Sequence, residues 1–162
     1  METFRLKRIA HGLIDHGLTI ATAEADTAGY IGHLLCSIAG ASQYFHGGVI
    51  AYVGDTKSRV LGIDPEIYAR YGAVSREMAV AMAEQARKLF STNLGVSATG
   101  VAGPTGGSPE KPPGTFWVAL SSEDGIDSVM EHRWSSTNRL WNKRKAADAA
   151  LNLITQYLGI RT

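Results

Sequence analysis

Three residues between positions 42 and 57 could together hydrolyse an amide or an ester. Ser42 lies in a polar turn, and Tyr52 and Lys57 belong to the segment AYVGDTK at the end of a predicted strand. A lysine that is removed from water can be neutral and can accept the proton of a serine hydroxyl, which makes the serine a nucleophile. A helix-cap serine, a half-buried tyrosine and a solvated lysine would fit the same spacing.

The segment GVAGPTGGSPEKPPGT, residues 100–115, is a second candidate for function. It shows no hydrophobic period, and long loops of this kind in a compact domain are usually functional. Glycines let backbone N–H groups approach an anion closely. The glycines concerned are Gly100, Gly103, Gly106 and Gly107. The segment lacks the Gly-Lys-Ser/Thr of a P-loop, and an ordered, turn-rich connection between strands is the alternative interpretation.

Charged residues elsewhere offer weaker signals. Glu24 and Asp26 follow a predicted strand, at the edge where α/β folds bind ligands. The basic residues between Arg139 and Lys145 could hold a phosphate or could form a solvated helix face. The five histidines show no metal-ligand spacing, and the single cysteine, Cys36, excludes an intramolecular disulfide. We therefore expect no bound metal and no cofactor.

The composition is typical of one ordinary domain. The chain has 162 residues, of which 44% are hydrophobic, and a net charge of +1, which favours neither nucleic acid nor a membrane as a partner. The charged N-terminus resembles no signal peptide, and no run of 18 apolar residues could span a bilayer. We expect a cytoplasmic protein with a single domain over residues 1–162. The apolar helices exceed the needs of one core, so we also expect a homo-oligomer.

Helices and strands alternate along the predicted order of elements. Helical patterns cover residues 4–16, 30–38, 55–60, 65–71, 75–90 and 138–158, with Ser75 and Thr137 as caps. Apolar or alternating runs predict strands at residues 18–23, 48–53, 94–99, 115–121 and 128–134, the last two forming a hairpin. This order predicts an α/β fold, a three-layer α/β/α sandwich on a mixed, mostly parallel sheet.

Four segments carry a resemblance to a known family. They are TAEADTAGYIG, IAGASQYFHGGVIAYVGDTK, GAVS at residues 72–75, and ATGVAGPTGGSPEKPPGTFWVAL. Over residues 13–158 the chain resembles the CinA C-terminal domain, which also occurs as a stand-alone nicotinamide-nucleotide amidase. The resemblance implies an α/β/α sandwich that hydrolyses nicotinamide mononucleotide (NMN), a small-molecule nucleotide, to nicotinate mononucleotide and ammonia.

The resemblance also implies roles for individual residues. It makes Ser42 the nucleophile, with assistance from Lys57 and Tyr52. The residues it implies in substrate binding are Glu24, Thr27, Thr99, Gly100, Gly103, Gly106, Gly107 and Arg139.

The first loop, which covers residues 22–29 in the segment TAEADTAGYIG, departs from the family pattern. Where the family reads Thr-Ala-Glu-Ser-Cys-Thr-Gly-Gly, this chain has Ala25 in place of the serine and Asp26 in place of the cysteine. Gly54 also replaces a usual asparagine, and Lys143 a usual arginine. Two alternatives therefore stay open. One is a nucleotide-binding module of the same fold without turnover, and the other is an amidase for a non-phosphorylated amide.

Overall fold

The computed structural model describes the backbone of residues 2–160, and their side chains except those of residues 2, 126 and 127. The strands are β1 (Ile20–Glu24), β2 (Phe45–Ile50), β3 (Leu94–Gly100), β4 (Thr115–Ser122) and β5 (Gly125–Arg133). The helices are α1 (Glu2–Asp15), α2 (Tyr30–Cys36), α3 (Thr56–Leu61), α4 (Pro65–Tyr71), α5 (Arg76–Phe90) and α6 (Arg139–Tyr157), and a 3-10 turn covers Ala41–Gln43.

The five strands form one mixed sheet in the order β2-β1-β3-β4-β5. β1 pairs in parallel with both β2 and β3, whereas β4 pairs antiparallel with β3 and with β5. The α/β class and the mixed sheet are confirmed, but the prediction of a mostly parallel sheet is wrong. The connection after β3 contains no helix, so the chain returns beside β3 in the opposite direction, and the predicted hairpin extends the sheet.

Helices cover both faces of the sheet. Alternate residues of β1 point to opposite faces: Ile20 packs in the core with α1, α2 and α6, whereas Ala21 and Ala23 pack in a second core with α3 and α5. Leu13 and Leu151 are buried in the first core, and Met78 is buried in the second. The two layers of helices agree with the arrangement predicted from the alternation of helices and strands along the chain.

Several predicted boundaries differ from the structure by a few residues, and two of these differences have a local physical reason. The second strand covers Phe45–Ile50 rather than residues 48–53, because its pairing with β1 ends where Glu24 meets Ile50. The last helix begins at Arg139 with Asn138 as its cap, whose side chain accepts from the backbone N–H of Trp141 at 3.0 Å, so the predicted cap at Thr137 is wrong. The predicted cap Ser75 is confirmed, because its hydroxyl accepts from the N–H of Met78.

Candidate active site

The carboxyl ends of three parallel strands meet at one edge of the sheet. The backbone N–H of Ala25, just after β1, donates to the carbonyl of Ala98 in β3 at 3.0 Å. The N–H of Ala51, just after β2, donates to the carbonyl of Glu24 at 2.9 Å. The segments that follow β1, β2 and β3 therefore emerge side by side, at the position where open α/β sheets bind ligands.

Glu24 fixes the start of α2 at this edge. Its side chain is buried, and its two carboxylate oxygens accept from the backbone N–H groups of Gly29, Ile31 and Gly32 at 2.8–3.0 Å. A carboxylate bound to free N–H groups in the first turn of a helix is stabilised by the helix dipole. Both oxygens are engaged in this way, so Glu24 positions the loop of residues 25–29 above the site.

Lys57 is the most unusual side chain at this edge. Only 1% of its surface is exposed, and its Nζ donates to the carbonyl of Ala51 at 3.0 Å. Burial lowers the pKa of Lys57 below its ordinary range, and the negative charge of Asp26 offsets part of that effect. A lysine in this setting can lose its proton more readily than a solvated one and can serve as a base.

Asp26 faces Lys57 across the site. Burial raises the pKa of its carboxyl, while the backbone N–H groups of Gly100 and Ala102 and the charges of Arg139 and Lys57 act in the opposite direction. Burial favours the neutral form of both Asp26 and Lys57, and the charge of each group opposes that effect on the other. The sequence singled out Asp26 as a departure from the family pattern but gave no sign of this partnership.

Arg139 joins two segments of the site. Its Nη2 donates to the hydroxyl of Tyr52, and its Nη1 donates to the carbonyl of Gly103 at 2.9 Å. The first contact reaches the segment after β2, and the second reaches the glycine loop after β3. The structure thus places Arg139 against Tyr52, and the charges of both Arg139 and Lys57 act on Asp26.

The four glycines among residues 100–107 have different surroundings and therefore different structural roles. A Cβ on Gly100 would lie 2.2 Å from the ring of Phe116, and one on Gly107 would lie 2.2 Å from the carbonyl of Lys111, so both glycines permit close packing within the protein. Gly106 has a φ of +87° and open space around it, which leaves its backbone accessible to a ligand. Gly103, with a φ of +81°, presents its carbonyl to Arg139.

Two threonines of the predicted site have different surroundings. Thr99 is buried, and its hydroxyl donates to the carbonyl of Ala73 at 2.6 Å, which ties β3 to the segment before α5. Thr27 is also buried, but its Oγ1 has no hydrogen-bond partner among the described residues. A buried hydroxyl without a partner is costly, which marks Thr27 as a group that a ligand could satisfy.

Thr27 lines a cavity of about 320 Å³ at the start of α2. The cavity also contains the basic residues Lys143 and Arg144 of α6 together with His33 of α2. Cationic side chains beside a spare hydroxyl are suited to a phosphate group. Part of the basic cluster between residues 139 and 145 therefore lines a cavity and does not only form a solvated helix face.

Ser42 lies apart from the other predicted catalytic residues. It is exposed in the 3-10 turn that precedes β2, whereas the Lys57 amine lies at Ala51, just beyond the other end of that strand. The six residues of β2 are joined by five steps, and at about 3.3 Å per step the strand is roughly 17 Å long. Within one chain, the structure does not bring Ser42 together with Lys57.

No group of three or more His, Cys, Asp or Glu side chains in the described part of the chain is placed to hold a metal ion. None of the helices between residues 2 and 160 is long and apolar enough to cross a membrane.

Comparison with known proteins connects nearly the whole chain to one family. Residues 3–158 match the family model of the CinA C-terminal domain. A CinA-like protein of Cytophaga hutchinsonii is 46% identical over 140 residues, which are 86% of this chain and 33% of that protein. A CinA-like protein of Salinibacter ruber is 43% identical over 142 residues, 88% of this chain and 34% of that protein. The chain thus spans about a third of the length of these relatives.

Solved structures share the fold over almost the full chain. The crystal structure of the competence/damage inducible protein CihA from Agrobacterium tumefaciens superposes with a TM-score of 0.92 at 33% identity, covering 98% of this chain and 95% of that one. A CinA superfamily protein from Klebsiella pneumoniae also gives a TM-score of 0.92, at 26% identity, with 98% of both chains covered.

Proposed function

The chain belongs to the CinA C-terminal domain family, and from that premise we propose that it hydrolyses the carboxamide of NMN to give nicotinate mononucleotide and ammonia. The observation that carries the proposal is the buried Lys57, which faces Asp26 at the ligand-binding edge of the sheet. Amide hydrolysis needs a group that takes a proton from the nucleophile and returns it to the departing nitrogen. A lysine with a lowered pKa is suited to both steps.

The nucleophile in this proposal is water rather than Ser42. The length of β2 separates Ser42 from the Lys57 amine, and position 25, next to Asp26, is an alanine. The oxygen of a water molecule would attack the carboxamide carbon while the neutral Lys57 amine accepts its proton. The C–N bond then breaks, and the proton passes from Lys57 to the nitrogen, which leaves as ammonia.

The remaining groups are placed to bind the substrate. Arg139 and Tyr52 would donate to the oxyanion that develops on the carboxamide oxygen, an interaction that is often worth roughly 3–4 kcal/mol of the barrier. Lys143, Arg144 and the unpartnered Thr27 hydroxyl would hold the phosphate of the nucleotide. The charge of Asp26 is opposed by Lys57 and Arg139, so this carboxylate gives no reason to prefer a non-phosphorylated amide.

A second candidate function is nucleotide binding without turnover. It is favoured by the first loop, where Ala25 lacks the hydroxyl of the family pattern and Asp26 supplies a countercharge for Lys57. An amine held by a carboxylate is a weaker base than a free one, because the negative charge stabilises its protonated form.

One experiment separates the two functions. The protein is incubated with NMN, and the ammonia and nicotinate mononucleotide that form are then quantified. NMN binding is measured by calorimetry on the same protein preparation. Release of both products in equal amounts is the result we expect. Binding without product would favour the second candidate, and the absence of both would exclude NMN as the ligand.

A further inference from the structure

A large cavity lies on the face of the sheet that α1, α2 and α6 cover. Its volume is about 930 Å³, within the range of sites that hold small molecules and cofactors. Its apolar part includes Leu34 of α2 and Leu151 of α6. Neither Lys57 nor Asp26 lines it, so it does not include the groups proposed for proton transfer. It shares only Tyr30 and Arg144 with the smaller cavity beside that site.

The charge around this cavity is strongly positive. Four of its lining residues are cationic and one is acidic: Arg5, Arg8, Arg144, Lys145 and Asp148. The carboxylate of Asp148 is already engaged in an ion pair with Arg5. The buried Nε of Arg5 has no hydrogen-bond partner within the described residues. The whole chain has a net charge of only +1, so the lining of this cavity is much more basic than the chain as a whole. A bound anion could contact several of these basic groups.

Aromatic rings accompany the cations on two sides of the cavity. On α1, the guanidinium of Arg8 lies 5.8 Å from the ring centre of Phe4, and on α6, the Nζ of Lys145 lies 5.4 Å from the ring centre of Trp141. Each pair is spaced by four residues, which places both side chains on the same helix face. Phe4 is 66% exposed and Trp141 is 41% exposed, so these rings retain surface that a planar ligand could cover.

We propose that the cavity between α1, α2 and α6 is a second ligand site, which binds a planar organic phosphate of nucleoside monophosphate size. The base of the ligand would pack against the exposed rings, and its phosphate would be held by Arg8 and Lys145. The aromatic groups account for recognition of a flat, apolar ring, and the cations for recognition of its negative charge. This site does not depend on the proposed hydrolysis of NMN.

The test is calorimetric titration of the full chain with AMP, adenosine and inorganic phosphate as separate probes. We expect AMP to bind at least tenfold more tightly than either of the other two. Arg8→Glu and Lys145→Glu should each weaken AMP binding by tenfold or more, because both reverse a charge at the cavity. Lys88→Glu, an exposed lysine on α5 across the sheet, is the matched control and should leave AMP affinity unchanged. Thermal unfolding of each variant verifies that it is folded.

Arg139→Ala distinguishes this cavity from the active site. AMP affinity that falls with Arg139→Ala but not with Lys145→Glu would place the nucleotide at the active site and overturn the proposal. Adenosine binding as tightly as AMP, or no AMP binding at millimolar concentration, would overturn it as well.

Discussion

Asp26 and Lys57 lie on the segments that follow two neighbouring parallel strands, and the negative charge of Asp26 acts on the buried amine of Lys57. Lys57 is anchored by the carbonyl of Ala51, and Asp26 faces the backbone N–H groups of Gly100 and Ala102. Removing Asp26 would leave the buried Lys57 ammonium without this nearby negative charge. The charge of Asp26 therefore affects how readily Lys57 gains and loses the proton in the hydrolysis that we propose.

Replacing Lys57 by methionine should abolish hydrolysis. Met keeps most of the side-chain volume but cannot carry a proton, so we expect kcat for NMN to fall at least about a thousandfold, as for the loss of a general acid and base. NMN affinity should change much less. Lys88→Met on the exposed surface of α5 is the matched control. Turnover by Lys57→Met above a tenth of the wild-type value would remove Lys57 from the mechanism.

The raised pKa of Asp26 predicts a specific pH dependence of stability. Above the ordinary value of 3.8, the unfolded chain loses this proton first while the folded protein keeps it, so the contribution of Asp26 to the free energy of unfolding falls as pH rises towards its folded pKa. Asp26→Asn removes that contribution. We therefore expect the stability of Asp26→Asn relative to the wild type to increase with pH over this window. Urea unfolding at a series of pH values measures the difference, and a constant difference would contradict it.

Ser42→Ala should keep NMN turnover within tenfold of the wild-type value. Its hydroxyl precedes β2, whereas the Lys57 amine lies beyond the far end of that strand. We expect more than a tenth of wild-type turnover with NMN and no trapping of an acyl-enzyme by hydroxylamine in either protein. A loss of a thousandfold or more would restore Ser42 as the nucleophile and would require it to reach the site in some other way, such as from a second copy of the chain.

Tyr52 and Arg139 should act as one unit. The Arg139 guanidinium donates to the Tyr52 hydroxyl and to the carbonyl of Gly103, so either substitution releases the same contact. We expect Tyr52→Phe to reduce kcat/KM by about tenfold and Arg139→Ala by about a hundredfold, with the double variant close to Arg139→Ala alone. Effects that multiply in the double variant would show that the two residues act independently.

The sequence predicted those features of the fold that depend on neighbouring residues. It was less successful for features that depend on how two strands pair. The residues that follow Ser75 indicate that it caps a helix. The hairpin of β4 and β5 is indicated by two strand-like segments that are separated by turn residues. The end of β2 at Ile50 depends instead on its register with Glu24. Ser42 shows why the composition of the site was harder to predict than the fold. It is only ten residues from Tyr52 in sequence, but β2 lies between them and separates the two residues in space. The partnership of Asp26 with Lys57 arises only from the parallel packing of β1 and β2.

Restoring the hydroxyl of the family pattern is the sharpest test of the first loop. Ala25 and Ala51 are buried in the same apolar cluster, directly after the paired residues Glu24 and Ile50, and the carbonyl of Ala51 accepts from the Lys57 amine. A serine at position 25 would therefore place a hydroxyl near a lysine with a lowered pKa, which is the arrangement of an activated nucleophile. We expect Ala25→Ser to raise kcat for NMN by tenfold or more. Hydroxylamine should then divert an acyl-enzyme to the hydroxamate in Ala25→Ser, but not in Ala25→Ser combined with Lys57→Met. Ala25→Gly is the control for the change in side-chain size, and unchanged kcat and KM in a folded Ala25→Ser protein would place position 25 outside the site.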